Sequence, residues 1–193
     1  SDANMMIIVS AFISGDLGKL FDSMPTIKQV TIYTNLSGYN DGADKVIALY
    51  EFCNYCKMKN IDLRILSDDD LHGKVYLFYK KCKNQMPEPK GFILTSGNFT
   101  QNGMRYNHEF GIMVNDDIQQ NTLANMINDL KTYEVTEQQL IMLVEKARAY
   151  KKDMEKFPKL PTFEVDKYVN LKPLKQAKVE TKYFLKPLGT KDN

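Results

Sequence analysis

Five polar residues between positions 72 and 109 have the types and the spacing to attack and hold a phosphate group. His72 and Lys74 are separated by one residue, Ser96 and Asn98 are also separated by one residue, and Glu109 follows later. In an extended strand, residues two apart project from the same face. An imidazole can act as a nucleophile, while an ammonium, a hydroxyl or an amide can hold phosphate oxygens. The set therefore predicts a site that processes phosphodiesters.

The two pairs come together if the segments that carry them form a hairpin. Residues 74–79 and 91–95 have strand character, and the loop between them is rich in lysine. In a hairpin, the start of the first strand lies beside the end of the second, so all four polar residues meet at one end. The loop then lies at the opposite end, roughly 15 to 20 Å away at about 3.3 Å per residue. Its lysines are not expected at the site; they are Lys80, Lys81, Lys83 and Lys90.

The remaining segments predict an α/β fold. Strand-like and helical stretches alternate in the first 66 residues, which favours a parallel β-α-β-α-β start with right-handed crossovers. These stretches are residues 5–13, 16–24, 29–34, 45–59 and 61–66. Three strands with short connections follow and are expected to be largely antiparallel, and two helices come last. These elements are residues 74–79, 91–95, 109–114, 119–133 and 137–157.

Composition is that of an ordinary globular protein. Of 193 residues, 43% are hydrophobic and 26% charged, and no apolar run approaches the roughly 20 residues that span a bilayer. An odd number of cysteines and the absence of an export signal predict a soluble protein of the reducing cytoplasm. Cys53 and Cys56 have the spacing of a zinc or redox motif, but their helical context favours simple packing.

The chain is expected to have three parts. Residues 1–4 resemble a remnant of cloning, residues 5–157 form the domain, and residues 158–193 form a basic arm or linker that contains four of the seven prolines. From residue 157 onward there are eight lysines against four acidic residues, whereas residues 1–156 hold 18 basic and 20 acidic residues. The arm could contact DNA, connect to a recognition domain outside this chain, or be a disordered polar tail.

The motif HGK, followed by TSGNFT and NHE, resembles the HKD motif of the phospholipase D superfamily. That superfamily has His-x-Lys, then Ser-x-Asn, then a Glu eleven residues after the Asn. The resemblance covers roughly residues 5–155 and implies a mixed sheet flanked by helices, with two motifs facing each other across a two-fold axis. The Asp expected five residues after the lysine is replaced by Tyr79. The segment SAFIS together with HGKVYLF most resembles the NgoFVII-type, metal-independent restriction endonucleases.

The resemblance implies a role for each residue of the set. His72 would attack phosphorus and form a covalent phosphohistidine. Lys74, Ser96 and Asn98 would hold the non-bridging oxygens. Glu109 would accept a hydrogen bond from a histidine ring and fix its tautomer. No metal or other cofactor is implied.

A second histidine must protonate the leaving oxygen, because the nucleophile cannot do both tasks. The chain contains only His72 and His108. His108 neighbours Glu109 on an expected strand, so it should face the opposite way. Each chain would then supply half of the site, which predicts a homodimer whose general acid is the second copy's His72.

The leading hypothesis is a restriction-type endonuclease that hydrolyses DNA without a metal. Two alternatives are a phospholipase or phosphatidyl transferase, and a non-catalytic binding module of a helicase or regulator. Arg105 lies in the loop beside the site, where it either contacts a flanking phosphate or is simply exposed. The three residues Asp68, Asp69 and Asp70 fit a solvated acidic turn better than a set of metal ligands.

Overall fold

The structure is a computed structural model that describes residues 2–36 and 42–156. The expected arm at residues 158–193 lies outside the described residues. In chain order the elements are β1 (Met5–Ser10), β2 (Ile13–Ser14), α1 (Leu17–Phe21), β3 (Gln29–Thr34), α2 (Gly42–Met58), β4 (Asp62–Ser67), β5 (Lys74–Lys80), β6 (Glu88–Thr95), β7 (Phe99–Thr100), α3 (Gln101–Arg105), β8 (Gly111–Val114), α4 (Asp117–Asn128), β9 (Tyr133–Glu134) and α5 (Glu137–Lys156).

A seven-stranded mixed sheet forms the centre of the described part of the chain. Its strand order is β8-β6-β5-β1-β3-β4-β9, and β2 and β7 form a separate two-stranded pair. Strand β1 pairs in parallel with β3, and β3 pairs in parallel with β4. The pairs β1/β5, β5/β6, β6/β8 and β4/β9 are antiparallel. The predicted fold class, a mixed α/β sheet flanked by helices, is confirmed.

The two faces of the sheet carry different helices. On one face, β-strand residues such as Ile8, Ile32 and Tyr76 belong to a core cluster with buried residues of α1, α2 and α5. On the other face, Leu77 and Phe92 belong to a second cluster, against which residues of α4 pack. We call this second side the α4 face. Because β-strand side chains alternate between faces, β1, β3, β4 and β5 each contribute buried residues to both clusters.

The secondary structure differs from the sequence prediction mainly at short elements. Strand β8 begins at Gly111 rather than Glu109, and the three-residue stretch before it is irregular. The five-residue helix α3 and the two-residue strand β7 were not expected, because segments this short carry no periodic pattern. The predicted strand 5–13 is interrupted between β1 and β2, and the predicted helix 119–133 ends at Asn128, so Tyr133 lies in β9 instead. Helix α5 begins with a capping box: the Thr136 hydroxyl accepts from the backbone N–H of Gln139, whose side chain accepts from the Thr136 N–H.

Residues at the amino terminus contact the domain. Ala3 is buried in the core. The Asn4 side chain donates to the carbonyl of Lys81 at 2.9 Å and accepts from its N–H at 2.7 Å. Asp2 forms an ion pair with Lys80. This short segment therefore lies against the lysine-rich end of the β5–β6 hairpin.

The cysteines of α2 are packing residues. Cys56 is buried and Cys53 is half-buried, and both thiols are free. Burial raises the pKa of both thiols, which keeps them in the unreactive protonated form at neutral pH. The structure therefore supports packing over a zinc or redox motif. Among the helices of residues 2–36 and 42–156, none has the length and apolar character needed to cross a membrane.

A buried glutamine joins α4 to the β5–β6 hairpin. The pairing of β5 with β6 is irregular between Leu77 and Tyr79. There the fully buried Gln120 donates to the carbonyl of Phe78 and accepts from the N–H of Gly91, both at 2.8 Å. One side chain thus satisfies two backbone groups of neighbouring strands and fixes α4 on the sheet.

We expect Gln120→Ala to lower the free energy of unfolding by about 2 to 4 kcal/mol, because it leaves two buried backbone groups without partners. Urea denaturation measures the difference. The matched control is Gln119→Ala, which changes the exposed neighbour and should alter stability by less than about 0.5 kcal/mol. Equal effects of the two substitutions would show that the Gln120 hydrogen bonds contribute nothing.

Candidate active site

One end of the sheet gathers the ends of four strands. Strand β1 ends at Ser10, which is the Cα partner of Lys74 at the start of β5. Strand β6 ends at Thr95, which is paired with Gly111 at the start of β8. We call this the site end. The hairpin of β5 and β6 has the predicted antiparallel pairing, and therefore brings the segments around residues 72–74 and 96–98 to the same end.

The first pair of predicted residues is accessible to solvent. His72 is exposed, and Lys74 is half-buried at the first position of β5. The Lys74 ammonium donates to the backbone carbonyl of His72 at 3.4 Å. A weak contact of this length leaves the ammonium able to turn toward an anion, because it has three donors.

Ser96 and Glu109 contact each other directly. The Ser96 hydroxyl donates to Glu109 Oε2 at 2.5 Å and accepts from the N–H of Phe110 at 3.1 Å. The Ser96 N–H donates to the Phe110 carbonyl at 2.8 Å, which continues the β6–β8 pairing beyond the strands. Asn107 donates to the other carboxylate oxygen of Glu109 at 3.3 Å. Glu109 is thus held by a serine and an asparagine within the described residues, whereas the sequence predicted a histidine.

Asn98 lies in a tight turn that leaves part of its side chain unused. A Cβ at Gly97 would approach Glu109 Cγ to 3.1 Å and the Gly103 carbonyl to 3.2 Å, so a larger residue would have to displace these neighbours slightly. The side-chain oxygen of Asn98 is buried and has no hydrogen-bond partner among the described residues. This unpaired oxygen is an acceptor, so only the amide nitrogen of Asn98 could donate a hydrogen bond to a phosphate oxygen.

A buried tyrosine supports this turn from the core. Tyr76 is 2% exposed, and its hydroxyl donates to the carbonyl of Gly97 at 2.9 Å. Burial, and to a smaller extent the negative charge of Glu109, raises the pKa of Tyr76 above its usual range. The hydroxyl therefore remains a donor at neutral pH and keeps Gly97 in place.

Ser10 is a supporting residue to which the sequence argument gave no role. It is fully buried at the end of β1; its hydroxyl donates to the carbonyl of Phe12 at 2.7 Å and accepts from the N–H of Phe99 at 2.8 Å. It thereby joins the segment after β1 to the turn that carries Asn98, beside the β2–β7 pairing. The sequence contained a signal for this role, because the polar residue Ser10 directly follows the apolar run at positions 5–9.

The remaining residues considered from sequence lie in varied positions. Arg105 is exposed, and its guanidinium donates to the carbonyl of Lys19 at 3.0 Å, which holds it against α1. Tyr79 is buried in the second core cluster, so an apolar environment occupies the position of the motif Asp. His108 is exposed, and it precedes β8 instead of lying within the strand. The expected alternation of His108 and Glu109 along a strand is therefore wrong.

The acidic turn before the motif is only partly solvated. Asp69 and Asp70 are exposed, but Asp68 is 7% exposed and accepts from the backbone N–H of Asp70 at 2.9 Å. Asp68 therefore stabilises its own turn. Within the described residues, no cluster of three or more histidine, cysteine or acidic side chains could hold a metal ion.

Comparisons with known proteins find similarity among solved structures. No family model and no curated protein matches the chain. A solved structure of polyphosphate kinase from Porphyromonas gingivalis is similar, with 14% sequence identity and a TM-score of 0.46. The match covers 67% of this chain and 21% of the kinase chain, so this chain spans about a fifth of that protein.

The comparison corrects one prediction. The assignment to the NgoFVII-type restriction endonucleases is wrong: no family model or curated protein matches, and the similar structure described above is a polyphosphate kinase. The resemblance that suggested this branch rested on SAFIS and HGKVYLF. In the structure SAFIS joins the end of β1 to β2, and HGKVYLF leads into β5. Apart from the exposed Phe12, the apolar residues of both segments are explained by the core.

We expect Ser10→Ala to lower the free energy of unfolding by about 1 to 3 kcal/mol, because the buried N–H of Phe99 loses its acceptor. Hydrogen exchange of the Phe99 amide should accelerate more than exchange in α5. Ser14→Ala is the control, since it alters the same segment without removing either bond. Unchanged exchange at Phe99 would contradict the supporting role of Ser10.

Proposed function

We propose that this domain hydrolyses phosphodiester bonds of DNA through a covalent phosphohistidine on His72. The observation that carries the proposal is the β5–β6 pairing, which brings the segments that contain His72, Lys74, Ser96 and Asn98 to the site end. A nucleophile, a cation and neutral hydrogen-bond donors are the groups that transfer of a phosphoryl group requires. The spacing of the same residues resembles the phospholipase D motif.

The reaction has two steps. A ring nitrogen of His72 attacks phosphorus, a nitrogen–phosphorus bond forms, and the bond from phosphorus to the leaving oxygen breaks. A protonated imidazole gives its proton to that oxygen. A water molecule then attacks phosphorus in the phosphohistidine and gives a proton back to the imidazole that acted as the donor. The nitrogen–phosphorus bond breaks, which releases His72. Lys74 and Asn98 stabilise the negative charge that develops on the non-bridging oxygens in both steps.

The open position of the site favours a polymer as substrate. His72 and Ser96 are exposed, and a cavity elsewhere is lined by other residues, such as Ile47 and Glu51. Sites for small molecules usually enclose most of the ligand surface. An exposed site can instead accept one phosphate of a long chain that continues across the surface. DNA is the phosphodiester polymer to which we assign it.

The proton donor of the first step is supplied by a second copy of the chain. The 193 residues contain two histidines, and His108 has no contact with the proposed nucleophile among the described hydrogen bonds. In a homodimer with one shared site, His72 of one copy attacks and the second copy's His72 protonates the leaving oxygen. The basic arm at residues 158–193, if it contacts DNA, adds affinity that depends on salt.

We expect His72→Ala to lower the rate of DNA cleavage by about 10³-fold or more, because both proposed histidine roles are lost. His108→Ala is the matched control and should change the rate less than about threefold. The assay measures cleavage of single- and double-stranded DNA and RNA in the presence of chelator. The parent should also form an acid-labile phosphohistidine. Equal rates for the two variants, or intact substrates with the parent, would refute the proposal.

A comparison of two lysine variants distinguishes a local catalytic effect from the long-range attraction of DNA by positive charge. Lys74→Ala should lower kcat by about 10²- to 10³-fold, because a cation beside the reacting phosphate is lost. Lys83→Ala removes the same charge from the exposed loop at the opposite end of the hairpin and should leave kcat unchanged. If both variants lose the same activity, the lysines contribute only through long-range attraction of DNA.

A further inference from the structure

A partly exposed phenylalanine lies just beyond the end of β1. Phe12 follows the last residue of that strand by two positions, and it is 42% exposed. Its backbone is fixed on both sides, because its carbonyl accepts from the Ser10 hydroxyl at 2.7 Å and the next residue, Ile13, pairs with Phe99. An aromatic ring held in this way can stack on a planar ligand without ordering a flexible loop.

A buried lysine lies against the same ring. The Lys45 ammonium is 5.3 Å from the centre of the Phe12 ring, within the range of a cation–π contact, and it also donates to the carbonyl of Asn35. Lys45 is 4% exposed, so water and salt screen its charge only weakly. The positive potential beside the ring therefore favours a planar ligand that carries a negative charge next to its ring system.

Phe12 lines a cavity of about 390 Å³, a volume within the range of about 300 to 1,000 Å³ that is usual for small-molecule sites. Its other apolar walls come from Ile47 and Ala48 in α2. Asp44 and Glu51 add carboxylates, which form ion pairs with basic residues of α5 and remain more than half exposed. The cavity therefore offers a flat apolar surface and hydrogen-bond acceptors, and its negative charge disfavours a phosphate inside it.

The cavity lies on the side of the sheet toward which Lys74 projects. Ser10 and Lys74 are Cα partners in neighbouring strands, and they are two residues from Ile8 and Tyr76, which share a core cluster with α2. Strand side chains two residues apart share a face. The Cα atoms of Phe12 and Lys74 are at most about 12 Å apart, from about 5 Å across the strand pair and about 7 Å along two residues. Their side chains are thus close enough to contact the same nucleic-acid strand.

We infer that this cavity binds an unpaired nucleobase of the strand whose phosphate lies at Lys74. This proposal rests on the proposed function, and it adds that the substrate is single-stranded or locally unpaired. Every nucleobase has a flat face that can stack on Phe12, and the exocyclic amino group of a base can donate to a carboxylate such as that of Glu51. The positive charge of Lys45 favours the phosphate next to that base.

An intact duplex does not present a base that the cavity can bind. In a duplex, the edge of each base is paired and its faces are stacked, and taking the base out costs that pairing and stacking energy. We therefore expect single strands to bind more tightly than duplexes of the same length. Attraction of phosphates alone produces the opposite order, because a duplex carries two charged backbones.

The test measures binding without cleavage, in the full chain with His72→Ala. Fluorescence anisotropy gives the dissociation constants for a short labelled DNA strand and for the matching duplex. Adding Phe12→Ala should weaken single-strand binding about 10-fold or more and duplex binding less than about twofold, because stacking on the ring is lost. Phe12→Tyr keeps the ring and should retain the affinity. Phe110→Ala is the control, because Phe110 is exposed at the same end of the sheet but is not among the described residues that line the cavity. Thermal unfolding checks that each variant is folded.

The outcomes separate this inference from the proposed function. A selective loss of single-strand binding in Phe12→Ala, with affinity retained in Phe12→Tyr and Phe110→Ala, supports the inference even if the parent cuts no nucleic acid. Duplex binding as tight as single-strand binding overturns it, and so does equal affinity of the Phe12→Ala and Phe110→Ala proteins for the single strand. A protein that binds neither form also overturns it. Cleavage that depends on His72 and is equally fast in Phe12→Ala would overturn the inference and leave the proposed function intact.

Discussion

The antiparallel pairing of β5 with β6 is the constraint on which the candidate site depends. The register places Val75 opposite Leu94, so the residues that precede β5 and those that follow β6 are adjacent. A slip by one residue would turn every side chain of one strand to the other face. It would also expose residues such as Leu77 and Phe92, which are now buried. Burial of the core thus fixes the position of the polar residues at the site end.

Polar groups that are fully buried hold the exposed ones in position. In the turn at residues 97–99, the Ser10 hydroxyl accepts from the N–H of Phe99. The Tyr76 hydroxyl donates to the carbonyl of Gly97 in the same turn. Such bonds are costly to lose in a medium of low polarity. The exposed serine and the carboxylate of Glu109 are then linked by a short hydrogen bond. The site therefore combines accessible chemical groups with a rigid support, which suits a reaction that depends on geometry.

The sequence predicted the central strands and the long helices because their patterns follow from burial. Strand β3 was predicted with its observed bounds, because a short, largely apolar run is typical of a strand that is buried on both faces. The convergence of residues 72–74 with residues 96–98 followed from hairpin geometry. The partner of Glu109 was not predictable, because the irregular stretch before β8 has no period from which direction can be inferred. The contact of Arg105 with Lys19 joins residues 86 positions apart, and no local pattern encodes it.

Helices cover the two faces of the sheet unequally, and the α4 face is open at the site end. Three helices cover one face, and their core cluster extends to the site end through Tyr76 and Phe99. On the α4 face, the helix is fixed by Gln120 at the opposite end, so it cannot also cover Leu94 and Ile112. Extending α4 toward the site end would bury these side chains but would also narrow the approach to the exposed Ser96. The exposed apolar area therefore follows from the position at which Gln120 fixes α4, and that position leaves the site end open to solvent.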